Sequence, residues 1–344
     1  MKKFYAPLPV IILLTIIIVS KSFAQGVGIN STGAAPHADA LLHVDIGAST
    51  TKGFLVTGNS VGYSSVPNLG SGQRLMFYPG KSAFRAGVVN GTQWDDVNVG
   101  NASIAIGENT IASGTRSTAM GELTVASGFN STAMGGFTTA SGGYSTAMGV
   151  STTASGLYSF AAGTRVSTNN HSGAFFFGDG DPYNKGVRSI GFNNQFAARF
   201  NGGYYFISSD AGADIGVQVL AGGNSWVSMS DENRKENFAP LNGEDVLQKI
   251  KDIKFSSWNY KTQDPKVHRH YGIMAQDFYK AFGNDKYGRI GNDTTVNPID
   301  MLGIDMAAIQ ELEKRTALLS QENKDLKDEM AELKLILARL EKQE

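Results

Sequence analysis

Between Asn101 and Val166 the chain repeats itself every fourteen residues, and no other feature limits its possible folds as sharply. Gly107, Gly121, Gly135, Gly149 and Gly163 share one register, and Gly114, Gly128, Gly142 and Gly156 sit seven residues away from it. Ala105, Ala119, Ala133, Ala147 and Ala161 keep step, as do Ser103, Ser117, Ser131, Ser145 and Ser159. The unit reads Ser-Thr-Ala-Met-Gly-x-x-Thr-x-Ala-Ser-Gly-x-x. Self-similarity at a fixed period signals a solenoid, in which each unit buries its inner face only by stacking on the next. Two glycines per unit predict two sharp turns. The short pieces between them alternate as two-sided strands do, which aims the alanines into a core too thin for leucine. Met120, Met134 and Met148 then point to the opposite face, an apolar stripe open to neighbouring chains. A monomeric solenoid with exposed methionines is the alternative.

The far end of the chain carries a different period. Ile309, Thr316, Asn323, Met330 and Leu337 fall at heptad a positions, and Leu312, Leu319, Leu326, Leu333 and Leu340 at d. Four unbroken heptad steps predict a coiled coil. Glu322 with Lys327 and Glu329 with Lys334 have the g-to-e spacing of parallel strands, and Asn323 in the seam would fix register. These residues do not decide the number of strands. One long helix packed on its own domain is the competing arrangement.

Composition separates the two regions. The 344 residues include 41 glycines, 9 prolines and no cysteine. That combination means many tight turns without a collagen repeat, and neither a disulfide framework nor a thiolate metal site. A net charge of −1 gives no electrostatic case for nucleic acid. No cofactor is expected. After Ser230 the character switches: 39 of the 61 charged residues lie there, and only 6 of the 41 glycines.

The switch falls on Ser230-Asp231-Glu232-Asn233-Arg234-Lys235-Glu236-Asn237-Phe238. A serine hydroxyl is a weak nucleophile until a base takes its proton. A lysine is such a base only when neutral, and since its ordinary pKa is about 10.4 it needs a partly dry pocket. Ser230, activated by Lys235, would attack the carbonyl of Met229 and cut the chain between Met229 and Ser230. The plainer reading is a helix N-cap, with Ser230 or Asp231 capping, Glu232 near the positive helix end and Lys235 solvated.

Met1–Ala24 has a basic start at Lys2 and Lys3, an apolar run from Val10 to Val19 and small residues at Ser22-Phe23-Ala24. It predicts a secretory signal that leaves Gln25 as the mature N-terminus and no transmembrane span after removal. Residues 25–101 are expected to form a β-rich region with strands at Ala40–Asp45, Gly53–Thr57 and Arg74–Tyr78. His37 and His43 lack the company of a metal site. Residues 167–229 read as a β-rich stem, with a hairpin expected between Asn194–Phe200 and Tyr204–Ser208 around Gly202-Gly203. Asp179-Gly180-Asp181 lacks the later ligands of a calcium loop and reads as a turn. In 230–308, helices are expected near Val246–Ile250 and Ala275–Phe282 and a strand over Phe255–Tyr260. His268 and His270 would share one strand face, but without a third ligand they are weak support for a metal.

Two resemblances join these pieces. Ser-Asp-x-x-x-Lys-x-Asn-apolar at Ser230 resembles the opening motif of the endosialidase-type intramolecular chaperone domain that ends many phage tail spikes and fibres. Tyr271-Gly272-Ile273-Met274-Ala275-Gln276-Asp277 and Ile304–Leu312 resemble two later motifs of that domain. The resemblance implies a trimeric chaperone that helps fold its passenger and then cuts itself off, with Ser230 and Lys235 as the dyad and Asp231, Asn237 and Gln276 in support. The family usually has a basic residue at Asn233 and an apolar one at Arg234; here the arginine is displaced by one. The fourteen-residue units resemble the head repeats of trimeric autotransporter adhesins, which implies a left-handed parallel β-roll for 102–166, three of which pack side by side.

The expected protein is a mainly β passenger followed by an α+β chaperone domain, 230–308, and a parallel coiled coil, 309–344. It would be an exported homotrimer (secreted, on the cell surface or in the periplasm), adhesin-like or fibre-like and self-cleaving. An uncleaved surface adhesin with a trimerisation domain is one alternative. A tail-fibre-like protein binding a host-surface carbohydrate is another, and for that the sequence shows neither paired carboxylates nor a cluster of exposed aromatics.

Overall fold

The computed structural model describes residues 27–29, 33, 35–37, 40–44, 55–57, 65–180, 186–209 and 215–342. The expected signal at Met1–Ala24, its cleavage point, Asp45, Gly53-Phe54 and Asp181 lie outside these residues. The chain divides into two compact units: one reaches Phe206 and includes Gln218–Val227, the other holds Ile207–Val217 and the chain from Ser228 onward.

In the first unit each fourteen-residue repeat makes one turn of a β-solenoid. Five-residue strands at Ile104–Glu108, Thr118–Glu122, Thr132–Gly136, Thr146–Val150 and Phe160–Thr164 stack in parallel, each alanine opposite the next. Two-residue strands such as Ile111–Ala112 and Val125–Ala126 stack into a second sheet. Ala105, Ala119, Ala133, Ala147 and Ala161 from one sheet and Ala112, Ala126, Ala140 and Ala154 from the other are wholly buried. The serine row is buried beside them, and Ser103, Ser117, Ser131 and Ser159 each donate to the glycine carbonyl three residues back. A core this narrow admits methyl groups and small hydroxyl side chains, and it leaves the hydroxyls of Thr110, Thr124, Thr138 and Ser145 buried without a hydrogen bond.

The glycines do a different job from the one expected. The corners of the solenoid are ten residues at seven-residue intervals from Ala102 to Arg165, all with φ between 51° and 57° and none of them glycine. Their N–H groups bond to the preceding turn, as from Leu123 to the Glu108 carbonyl at 2.9 Å and from Tyr144 to the Phe129 carbonyl at 2.7 Å. The repeated glycines stand where adjacent turns touch. A Cβ on Gly107, Gly121 or Gly135 would sit 2.0–2.1 Å from the carbonyl oxygen of the next turn, and so would one on Gly114, Gly128 or Gly142. Close approach between turns excludes a side chain at both positions, while the corners tolerate left-handed backbone at about 1 kcal/mol each.

Both ends of the alanine core are plugged. A hairpin of Gly72–Tyr78 and Ala83–Val89 joins the long sheet, and its second strand pairs in parallel with Ile104–Glu108. There Arg85 takes the inward place opposite Ala105. It is completely buried and donates to the carbonyls of Phe84, Ser103 and Ala112 and to the Ser103 hydroxyl, at 2.8–3.1 Å. Burial pulls its guanidinium down to about 10. Trp94 closes the same end, its indole bonded to the Thr110 carbonyl at 3.0 Å. At the other end Phe176 lies opposite Ala161, and Phe176 and Ile190 fill the core. The stacking therefore continues past Val166 through Phe175–Gly178 and Phe196–Arg199. Asp179, read as part of a turn, pairs with Arg199 at 3.3 Å and accepts from the Asn201 N–H at 2.6 Å. The expected hairpin across Gly202-Gly203 does not form. Phe196–Arg199 belongs to the solenoid, whereas Tyr204–Ile207 joins a separate three-stranded sheet with Gly216–Val219 and Val227–Ser228. Inward-facing Ala197 packs against the solenoid core, and that packing outweighs the local turn signal.

The second unit holds helices α1 (Gly243–Lys251), α2 (Ala275–Phe282) and α3 (Pro298–Leu340) with a strand pair, Ser256–Trp258 against His270–Gly272. Asn242 caps α1 through the Asp245 N–H, and Asn297 caps α3 through the Ile299 N–H ahead of a proline well suited to the first turn. Val246, Phe282 and Ala308 form the core with Leu247, Ile250, Phe278 and Ile304 around them. Burying Val246 and Phe282 contributes about 1.5–3 kcal/mol apiece. Helix α3 meets α1 through Ile304, Ala307, Ala308 and Arg315, at c, f and g heptad places, and Arg315 Nε donates to Glu244 at 2.9 Å. Its a and d apolar residues, from Ile309 and Leu312 to Leu337 and Leu340, are each half or more exposed.

Candidate functional site

The boundary segment folds into one tight turn. Asp231 caps a 3-10 helix over Glu232–Arg234, accepting from both the backbone N–H and the side-chain amide of Asn233 at 3.0 Å. Those two bonds, backbone first, hold the Asp231 carboxyl below the usual carboxylate range. The turn closes with Arg234 N–H to the Asp231 carbonyl at 3.2 Å and Lys235 N–H to the Glu232 carbonyl at 3.0 Å. Asp231 thus caps as the plainer reading expected, but over a single turn rather than a helix.

That turn sends the Lys235 side chain back across five residues to the serine. Lys235 Nζ lies 2.7 Å from Ser230 Oγ. In this arrangement the ammonium donates to the hydroxyl; general-base chemistry at the same distance requires the neutral amine accepting from it. Ser230 and Lys235 are both exposed in the single chain, and Met229, joined to Ser230 by the preceding peptide bond, is half-buried. Arg234 Nη1 contacts the Met229 sulfur at 3.1 Å. Asn237 stands two residues past Lys235 in left-handed backbone, φ 57°. Gln276 is exposed in the first turn of α2 and makes no hydrogen bond to Ser230 or Lys235. The turn thus brings Met229, Ser230, Asp231 and Lys235 together and leaves Gln276 apart.

Two other features bear on function. His270 stacks on Trp258 at 4.7 Å, and His268 precedes its strand instead of sharing a face with it. In the first unit Phe177, Phe196, Phe200, Tyr204, Phe206 and Trp226 line an open cleft of about 660 Å³. The sequence had shown no such cluster, because these rings come from separate segments, on and beside the last solenoid strands and the three-stranded sheet, that only the fold brings together. The density of aromatics at Phe196, Phe200, Tyr204, Tyr205 and Phe206 was the available signal.

Comparison with known families matches two segments. Residues 230–285 match the chaperone of endosialidase family, and residues 99–121, 126–149 and 140–165 match the YadA head domain repeat. No curated protein matches the chain. The chain is an adhesin- or tail-fibre-like protein with a chaperone domain, and its head repeats point to an extracellular or surface setting. Among the described residues no helix is long and apolar enough to cross a membrane.

Proposed function

We propose that this chain is an exported homotrimeric fibre whose C-terminal domain, 230–308 with the helix of 309–344, sets three passengers in register and then severs itself between Met229 and Ser230. The contact of Lys235 with Ser230 at 2.7 Å carries this reading. Neutral Lys235 takes the proton from Ser230 Oγ as Oγ attacks the Met229 carbonyl carbon. The Met229–Ser230 C–N bond breaks, and the proton passes to the Ser230 nitrogen. Water then hydrolyses the resulting ester, leaving Met229 as a carboxylate and Ser230 as a free amine. A charged lysine in water is a poor base, so neighbouring chains of the trimer must supply the drier surroundings that a single chain lacks. Both family resemblances imply a trimer, and the exposed seam of α3 supports one. Ile309, Leu312, Leu319, Asn323, Leu326, Leu333 and Leu340 would form it.

The test is intact mass measured on the purified assembly beside Ser230→Ala and Lys235→Ala. Two fragments meeting at Met229/Ser230, absent from the Ser230→Ala sample, are expected. One intact chain in all three samples removes the peptidase and leaves an uncut surface fibre, a reading favoured by the exposure of both residues of the pair. A carbohydrate-binding passenger is a further reading, favoured by the aromatic cleft, where Phe206 and Trp226 are each more than half exposed. Trp226→Ala should then abolish retention on a glycan array while leaving the oligomeric mass unchanged.

A further inference from the structure

The bond to be cut is held from both sides by one turn. Ser230 Oγ is fixed by Lys235 Nζ at 2.7 Å, and Met229 Sδ by Arg234 Nη1 at 3.1 Å. Arg234 is itself steered by Asp231, its Nε 3.9 Å from Asp231 Oδ2, and that carboxylate is anchored by Asn233 at 3.0 Å. We propose that Arg234 is a positioning residue for self-cleavage that orients the Met229 carbonyl toward Ser230 Oγ by clamping the Met229 side chain; this rests on the self-cleavage reading above.

Attack of Oγ on the preceding carbonyl passes through a five-membered ring, and the N–Cα and Cα–Cβ torsions of Ser230 decide whether carbon and oxygen meet. Lys235 restrains the Ser230 side. Arg234 Nη1 bonds the Met229 sulfur, and because Arg234 lies beyond Ser230 in the chain, that hold restrains rotation about the Ser230 N–Cα bond; its planar fork fixes direction better than an ammonium would. A thioether is a weak acceptor, so the contact adds little binding energy and acts by orientation. Misplacement by about 1 Å costs reactions of this kind up to roughly a hundredfold. The resembled motif usually has its basic residue one place earlier; here the arginine stands at 234 and its side chain reaches Met229.

The experiment is single-turnover cleavage of the full chain during refolding and assembly, followed by intact mass, with and without hydroxylamine, which splits the ester as it forms and so isolates the acyl shift. Arg234→Ala and Met229→Leu should each slow fragment appearance about tenfold to a hundredfold, in hydroxylamine as well as without it. The double variant should be no slower than the slower single one, because both remove the same clamp. Arg234→Lys should recover part of the rate. Wild-type speed for Arg234→Ala, or losses that multiply in the double variant, would overturn the positioning role and leave self-cleavage standing. A wild-type chain that never cuts, identical to Ser230→Ala, overturns both. Light scattering on each sample separates slow cutting from failed assembly, and if Arg234→Ala does not assemble, Met229→Leu and Arg234→Lys decide the matter.

Discussion

The glycines of the solenoid provide a matched experiment within one strand. Gly135 has φ of 113°, and a Cβ there would lie 2.1 Å from the Gly149 carbonyl oxygen; Gly136, its neighbour, has nothing within 4 Å of the same atom. Gly135→Ala should therefore cost several kcal/mol or prevent folding, whereas Gly136→Ala should stay within about 0.5 kcal/mol of the parent in chemical denaturation. The positions of these glycines were plain in the sequence and their purpose was not, because a period reveals which residues are alike and cannot distinguish a corner from a place where backbone meets backbone. Arg85 was invisible for a related reason. A lone arginine in a strand reads as a surface residue, and only the register that sets it opposite Ala105 shows it to be a plug. Arg85→Ala should lower stability by about 2–4 kcal/mol, measured as the shift in denaturation midpoint, since it opens a cavity and removes donors from the Ser103 and Ala112 carbonyls.

At the level of elements, α3 is the most legible part of the molecule. Its heptads predicted a coiled coil over 309–344; the single chain has one helix over Pro298–Leu340, with its contacts to α1 on the c, f and g side, away from the a/d seam. A helix serving only its own domain would turn its leucines inward. Leu319→Asp with Leu326→Asp should therefore reduce the assembly to monomers by light scattering without loss of the α1–α3 packing. The tie between those helices is pH-sensitive. Arg315, through its hydrogen bond, holds the Glu244 carboxyl below its ordinary value, and Glu244 raises Arg315 in turn. A carboxylate depressed on folding adds stability above its unfolded pKa and loses it as the pH falls through the lower, folded value. Protection of α1 amides from hydrogen exchange should accordingly decline as the pH drops below the ordinary glutamate range, and Glu244→Gln should flatten that decline. Both side chains are exposed, so the effect is small. The hairpin at Gly202-Gly203 was misread because Phe196–Arg199 pairs back with Phe175–Gly178 while Tyr204–Ile207 pairs onward with Gly216–Val219, and no local turn signal announces that division.

For the molecule as a whole, the two regions meet different needs. A stack of parallel strands must close turns one on another, which is slow, and exposed strand edges invite wrong partners. A C-terminal device that brings chains together before those edges close would suppress that loss. Removal of 309–344 should lower the soluble yield of the passenger severalfold, read by sedimentation of the refolded chain, while Ser230→Ala should leave that yield unchanged. The solenoid itself carries a further consequence. Its inner turns are nearly interchangeable: the same alanine, the same serine and the same glycine contact recur, and only the plugs at Arg85 with Trp94 and at Phe176 with Ile190 mark where the series starts and stops. Excision of Glu122–Gly135, or duplication of those fourteen residues, should give a folded protein shorter or longer by one strand spacing, about 4.8 Å. Reach is thus an editable quantity in this architecture. Unequal recombination within the repeats can lengthen or shorten the reach of the head in fixed steps, while selection on either plug, on the turn at Ser230 or on the terminal helix goes on undisturbed.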